Sequence, residues 1–112
     1  MQKVKFMAAQ GDVMFIRIDK IPINAVKTDE KDGHFIVAHS ETGHNHVIDS
    51  KNAQMLIDKT NEFVAYLKIS KETEVKHQRS FDTHESLLLT PGNYIVRRQR
   101  EYVAEGFRKV AD

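Results

Sequence analysis

Histidine is the residue type on which any chemistry in this chain would turn. The sequence holds 6 His in 112 residues. Four of them are spaced for joint work: His44 with His46, then His77 and His84. Residues two apart on a strand project from one face, roughly 6.5–7 Å apart. His44 and His46 would therefore point the same way and could converge on one metal ion. Gly43, immediately before them, lets the backbone turn sharply. His77 shares a strand face with Val75 and is expected to point inward. His84 follows a polar insert, Arg79 to Thr83, that could form a lip. Three or four imidazoles around one pocket suit a divalent transition metal such as Zn, Fe, Ni or Mn. Three protein ligands would leave an open position for water or substrate. The plainer reading stands beside this one. A His-x-His pair on a strand is more often a surface or hydrogen-bonded pair, and His77 alone is more often a structural histidine. His34 and His39 bracket an apolar run and read as boundary residues.

Other catalytic chemistry finds little support. There is no Cys, which excludes disulfides, thiolate metal sites and Cys nucleophiles. No Gly-x-Ser-x-Gly elbow occurs, and Ser86 beside Glu85 has no triad spacing. Asp19, Asp49 and Asp58 show no context that would single out a carboxylate pair. The one basic feature is the strand Arg97-Arg98-Gln99-Arg100-Glu101-Tyr102. By alternation Arg98, Arg100 and Tyr102 share a face with Tyr94 and Val96, while Arg97 and Glu101 share the other. Arg on phosphate with Tyr94 or Tyr102 stacking on bases would make a nucleic-acid site, the least favoured of three readings. The others are an edge strand guarded by charge and a protein interface, where Arg and Tyr are enriched. The interface set is Tyr94, Arg97, Arg98, Arg100 and Tyr102.

These residues need strands to hold them. Val13 to Ile18 is apolar on both faces and reads as a buried strand; Phe35 to Ala38 is a second, and His44 to Asp49 a third. Asn24 to Gly33 reads as an exposed loop. Ser50 to Asn61 fits a helix through Ala53, Leu56 and Ile57, or a strand through Ala53, Met55 and Ile57, with a slight lean to strand. From Glu62 to Ile69 the residues Phe63, Ala65, Leu67 and Ile69 alternate cleanly. Glu74 to Gln78 and Glu85 to Leu89 follow. Pro91-Gly92 suits the centre of a type II turn before a last strand, Tyr94 to Val103. About seven or eight short strands with at most one short helix predict an all-β single domain over residues 1–112, a small barrel or sandwich.

Composition bounds the partners. Hydrophobic residues make up 40% of the chain, enough for a modest core, and 17 Lys and Arg against 16 Asp and Glu leave a net charge of +1. That balance argues against bulk binding to nucleic acid or membranes. No apolar run approaches a membrane span, and the apolar part of the N-terminus is too short for a signal peptide. The expected location is the cytoplasm of a host cell, or a particle assembled there. Both chain ends are expected to be tied down, by strands of the fold or by neighbouring subunits.

Several segments carry a resemblance. Gln10-Gly11-Asp12-Val13, Ala38 to His46 with its Gly-His-Asn-His turn, His84-Glu85, Pro91-Gly92-Asn93-Tyr94 and Gln99-Arg100-Glu101-Tyr102 together resemble a family of small uncharacterised proteins from bacteria and their phages. That resemblance implies an origin rather than an activity. His44-Asn45-His46 with a later His77 or His84 also resembles the metal motif of the cupins, small β-barrels. The Glu expected after the pair is missing, as are the framing glycines, and Asp49 is the nearest carboxylate. Two functions follow. The first is a non-enzymatic assembly protein, of the type that decorates or cements a phage head. Its partners would be copies of itself or other structural subunits, and its histidines would stabilise turns or hold a structural metal. The second is a cupin-like metal-dependent enzyme or sensor using His44, His46, His77 and His84. The first is favoured narrowly.

Overall fold

The computed structural model describes residues 2–39, 45–77 and 86–98. Within them the chain forms eleven strands: β1 (Gln2–Val4), β2 (Met7–Gln10), β3 (Val13–Ile18), β4 (Val26–Lys27), β5 (His34–Ala38), β6 (His46–Asp49), β7 (Ala53–Ile57), β8 (Val64–Ile69), β9 (Thr73–His77), β10 (Leu87–Leu89) and β11 (Gly92–Arg98). A five-stranded sheet runs β1-β10-β9-β6-β5, and a six-stranded sheet runs β2-β3-β11-β8-β7-β4. Neighbours are antiparallel except β1 and β10, which are parallel. The expected all-β class holds, and of its two forms the chain takes the sandwich.

The extra strands come from segments with weak periodicity. β1 and β2 lie in the N-terminal run, where the chain passes from one sheet to the other across Lys5 and Phe6. β4 is a two-residue strand inside the expected loop of residues 24–33, and it pairs with β7. The ambiguous stretch from Ser50 resolves into a 3-10 turn over Ser50–Asn52 followed by β7. The Asp49 carboxylate accepts the Lys51 N–H at 2.7 Å and so caps that turn. Strand then wins because Ala53 and Met55 pack on the core.

The core is the set of inward positions of both sheets. Val4, Phe35, Ile48, Val75, Leu87 and Leu89 come from the smaller sheet, and Val13, Phe15, Ala65, Leu67, Tyr94 and Val96 from the larger. Phe15 and Leu67 are fully buried, and each side chain of that size stabilises by roughly 1.5–3 kcal/mol. The strand β3 is apolar on both faces as expected, yet only one face is in the core. Val13 and Phe15 are buried, whereas Met14 and Ile16 lie on the outer face, half-buried.

Two turns depart from simple expectation or support it. Gly11, at φ +63°, opens the two-residue loop between β2 and β3, and glycine supplies that left-handed φ without strain. Gly92 instead has φ +145° and already belongs to β11. It is therefore not the third residue of a type II turn, where φ lies near +80°. That φ itself favours glycine, and an inserted Cβ there would also collide with the Arg17 guanidinium.

Candidate functional site

Three places on the sandwich bear on function, and the histidines come first. His46 opens β6 with only 2% of its surface exposed. Its Nδ1 lies 2.8 Å from Oε1 of Gln10, itself buried at the end of β2 on the opposite sheet. Gln10 Nε2 donates to the Val75 carbonyl at 3.1 Å. That bond fixes the amide orientation, so Oε1 can only accept and His46 Nδ1 must carry the proton. The imidazole is thus held by a hydrogen bond that ties the two sheets together inside the core. Across the β6–β9 pair the backbone register sets His46 opposite His77. His44 and His84 lie outside the described residues. Among the described residues no group of three or more His, Asp or Glu is placed to hold a metal. His34 and His39 are exposed at the two ends of β5, as boundary residues should be.

The Arg and Tyr set is distributed over different surfaces. Tyr94 corrects the interface expectation, because it is fully buried. Its inward position in β11 pairs it with Leu67 and Arg17, and its hydroxyl donates to the Thr90 carbonyl at 2.8 Å. Arg97 is exposed on the outer face of the larger sheet. Arg98 shares the inward face of Tyr94 and Val96, as alternation implied, but it sits at the sheet's end, where its guanidinium lies 5.9 Å from the centre of the Phe63 ring. Arg100 and Tyr102 lie outside the described residues.

A cleft of about 550 Å³ opens beside β5. The larger sheet has one strand more than the smaller, and the half-buried inner face of β7 lines the cleft next to that edge. Ile36, Met55, Ile57, Ala65, Phe63 and Val96 form apolar wall, with Arg98 and Lys59 among the polar lining. Asp58 also lines it, but its carboxylate is engaged. Oδ1 accepts the Thr60 hydroxyl at 2.6 Å and the Thr60 N–H at 2.8 Å. The hydroxyl first, and the N–H after it, hold Asp58 below the usual carboxylate range.

The outer face of the larger sheet carries an unexpected pattern. Cross-strand register lines up Met7, Ile16, Ile95, Tyr66 and Leu56 in one row over five strands. Every member is apolar or aromatic. Tyr66 at the middle is buried, Ile16, Ile95 and Leu56 are half-buried, and Met7 on the edge strand is 57% exposed beside Phe6 at 80%.

Sequence reasoning missed a further residue, Arg17. It occupies the inward position after Val13 and Phe15 and closes one end of the sandwich. Its Nε donates to the Lys5 carbonyl at 3.0 Å, one Nη to Pro91 O at 2.9 Å and the other to Tyr94 Oη at 2.8 Å and to Thr90 Oγ1. A cation continuing an apolar alternation was the available signal. Its partners are all of distant sequence, so its role belongs to the fold.

No curated protein matches the chain, and no solved structure matches it. A family described as a domain of unknown function, DUF8820, matches residues 9–99. That span includes Gln10, His46, Arg17 and Arg98, and the chain belongs to the DUF8820 family.

Proposed function

We propose that the chain is a non-enzymatic assembly protein that packs against other subunits through the outer face of its six-stranded sheet, in the manner of proteins that decorate or cement a phage head. The observation that carries this reading is the apolar row Met7, Ile16, Ile95, Tyr66 and Leu56. An outer sheet face that meets only water usually alternates to polar residues. Here the alternation gives apolar residues on both sides. The row runs out to the edge strand β2 and its exposed Phe6 and Met7, and an apolar edge invites pairing. Arg97 flanks the row, and Met, Tyr and Arg are the types enriched where protein surfaces meet. Sedimentation of the purified protein over a wide concentration range, with an Ile95→Glu variant, tests it. Reversible oligomers lost in the variant mean copies of this chain. A monomer that enters assembled particles means another subunit. A monomer at all concentrations that enters no particle ends the reading.

A second reading rests on the His46–Gln10 bond. A proton on Nδ1, donated to a carbonyl-type oxygen, leaves the ring lone pair on Nε2, the arrangement common in metal-ligating histidines. A metal held there would be enclosed and structural, with His44, His77 and His84 as the remaining ligands. The cupin-like enzyme variant needs in addition an open coordination position. Metal analysis of protein purified without chelator separates these readings from the first. Stoichiometric metal lost in a folded His44→Ala/His46→Ala variant supports them, and its absence ends both.

A further inference from the structure

Each sheet of the sandwich ends in two edge strands, and three of the four carry a device that discourages pairing with a further strand. β1 carries Lys3, exposed and in an ion pair with Glu72 at 3.1 Å. β4 is two residues long, and one of them is Lys27. β5 has a break in register between Ile36 and Ala38. β2 has no charge, no proline and an unbroken register with β3. Phe6 and Met7 lie exposed at its start.

The β2–β3 hairpin fixes which backbone groups that edge offers. Gly11-Asp12 is a two-residue loop, so Gln10 and Val13 close the ladder as a hydrogen-bonded pair. At the other end the Arg17 N–H donates to the Phe6 carbonyl at 2.8 Å. Between them, alternation turns the N–H and C=O of Ala8 toward β3 and those of Met7 and Ala9 away from it. Because β2 is the last strand of its sheet, these groups point outward, and no described residue answers them.

We infer that β2 pairs antiparallel with β2 of a second copy, Ala8 facing Ala8 across a two-fold axis and Met7 facing Ala9. The inference rests on the assembly reading and deepens it by naming one partner and its contact. In this register each Met7–Ala9 pair exchanges both of its hydrogen bonds. An axis at Ala9 would set Met7 against Gly11, which has left the strand at φ +63°. An axis at Met7 would set Ala9 against Lys5, which precedes the strand. Charge selects an antiparallel copy. Lys5 precedes β2 and Asp12 follows it, both exposed and in no ion pair among the described residues. Antiparallel pairing brings the Lys5 end of one strand to the Asp12 end of the other at both ends of the contact. Parallel pairing would set like charges together. Met7 and Ala9 stand on the outer face, so two six-stranded sheets join edge to edge with their outer faces continuous.

Sedimentation of the whole chain with an Ala9→Pro variant tests this, beside mild oxidation of Ala8→Cys and Ala9→Cys variants of a chain that otherwise lacks Cys. Proline at Ala9 removes an outward N–H and leaves the β3 ladder whole. The dimer should weaken at least tenfold while far-UV circular dichroism matches the parent. Ala8→Cys sets two Cα atoms about 4.5 Å apart across the axis, within disulfide range, and should cross-link. Ala9→Cys sets them roughly 8–9 Å apart and should not. The Cys pair decides the matter even if proline unfolds the chain. Dimers that persist in folded Ala9→Pro but vanish in Ile95→Glu overturn the edge contact and leave the assembly reading standing. A monomer that still enters particles does the same. A monomer that enters none ends both. Failure of Ala8→Cys to cross-link, or cross-linking of Ala9→Cys in preference to it, also overturns the inference.

Discussion

The buried His46–Gln10 bond allows a quantitative test of what the histidine does. Replacing Gln10 by Met keeps the volume and removes the acceptor, leaving the His46 Nδ1–H without Oε1 in a site only 2% exposed. An unsatisfied buried donor costs about 1–3 kcal/mol. His46→Leu leaves Gln10 Oε1 in the same position and should cost a similar amount. In the double variant both polar groups are gone. The loss in the double variant includes the Gln10 bond to Val75 O, about 0.5–1.5 kcal/mol, and the double should still cost less than the two singles together. The expected coupling is about 3 kcal/mol. Urea unfolding followed by far-UV circular dichroism reads it, and each single variant should melt roughly 4–13 °C below the parent. Each measurement is repeated after exhaustive chelation. If the hydrogen bond is the reason for His46, the coupling survives chelation unchanged. Additive single losses, or a coupling that vanishes with the chelator, would refute the reasoning and make His46 a metal residue.

Other outcomes follow from the same packing. Arg17→Met should cost about 1–3 kcal/mol, because it removes the guanidinium's bonds to Tyr94 Oη, Lys5 O and Pro91 O; denaturant titration measures it. Gly92→Ala should cost about 1–3 kcal/mol from its φ of +145° alone. It should cost less in an Arg17→Met background, where the guanidinium no longer occupies the space. Thr60→Val removes the larger of the two influences that depress Asp58, so the Asp58 titration followed by NMR should move up toward the usual carboxylate range. Because the folded value lies below the unfolded one, Asp58 stabilises the loop above the unfolded pKa. That stability is lost as pH falls through the folded pKa, and the variant should show less acid sensitivity.

The sequence alone determined the class of the fold. Alternation along β8, with Ala65, Leu67 and Ile69 on one side, survives any tertiary arrangement because side chains on a strand point to opposite faces. The same rule placed Arg98 on the face of Tyr94 and Val96. Alternation also left Arg97 on the opposite side. What alternation cannot say is which face meets the second sheet, or where along the sheet a residue falls. Tyr94 and Arg98 therefore share a face but not a fate. One is buried beside Arg17 and the other lines a cleft, because they stand four residues apart along β11. β1 and β2 were hidden because a short strand owes its existence to the partner it pairs with. His46 was legible as a residue able to do chemistry. Its partner Gln10 stands 36 positions away, and only the packing of one sheet on the other brings that amide within hydrogen-bond reach. The outer apolar row shows the same division. Each member was visible in its own strand, but a row exists only in register, and register is fixed by tertiary pairing across five strands.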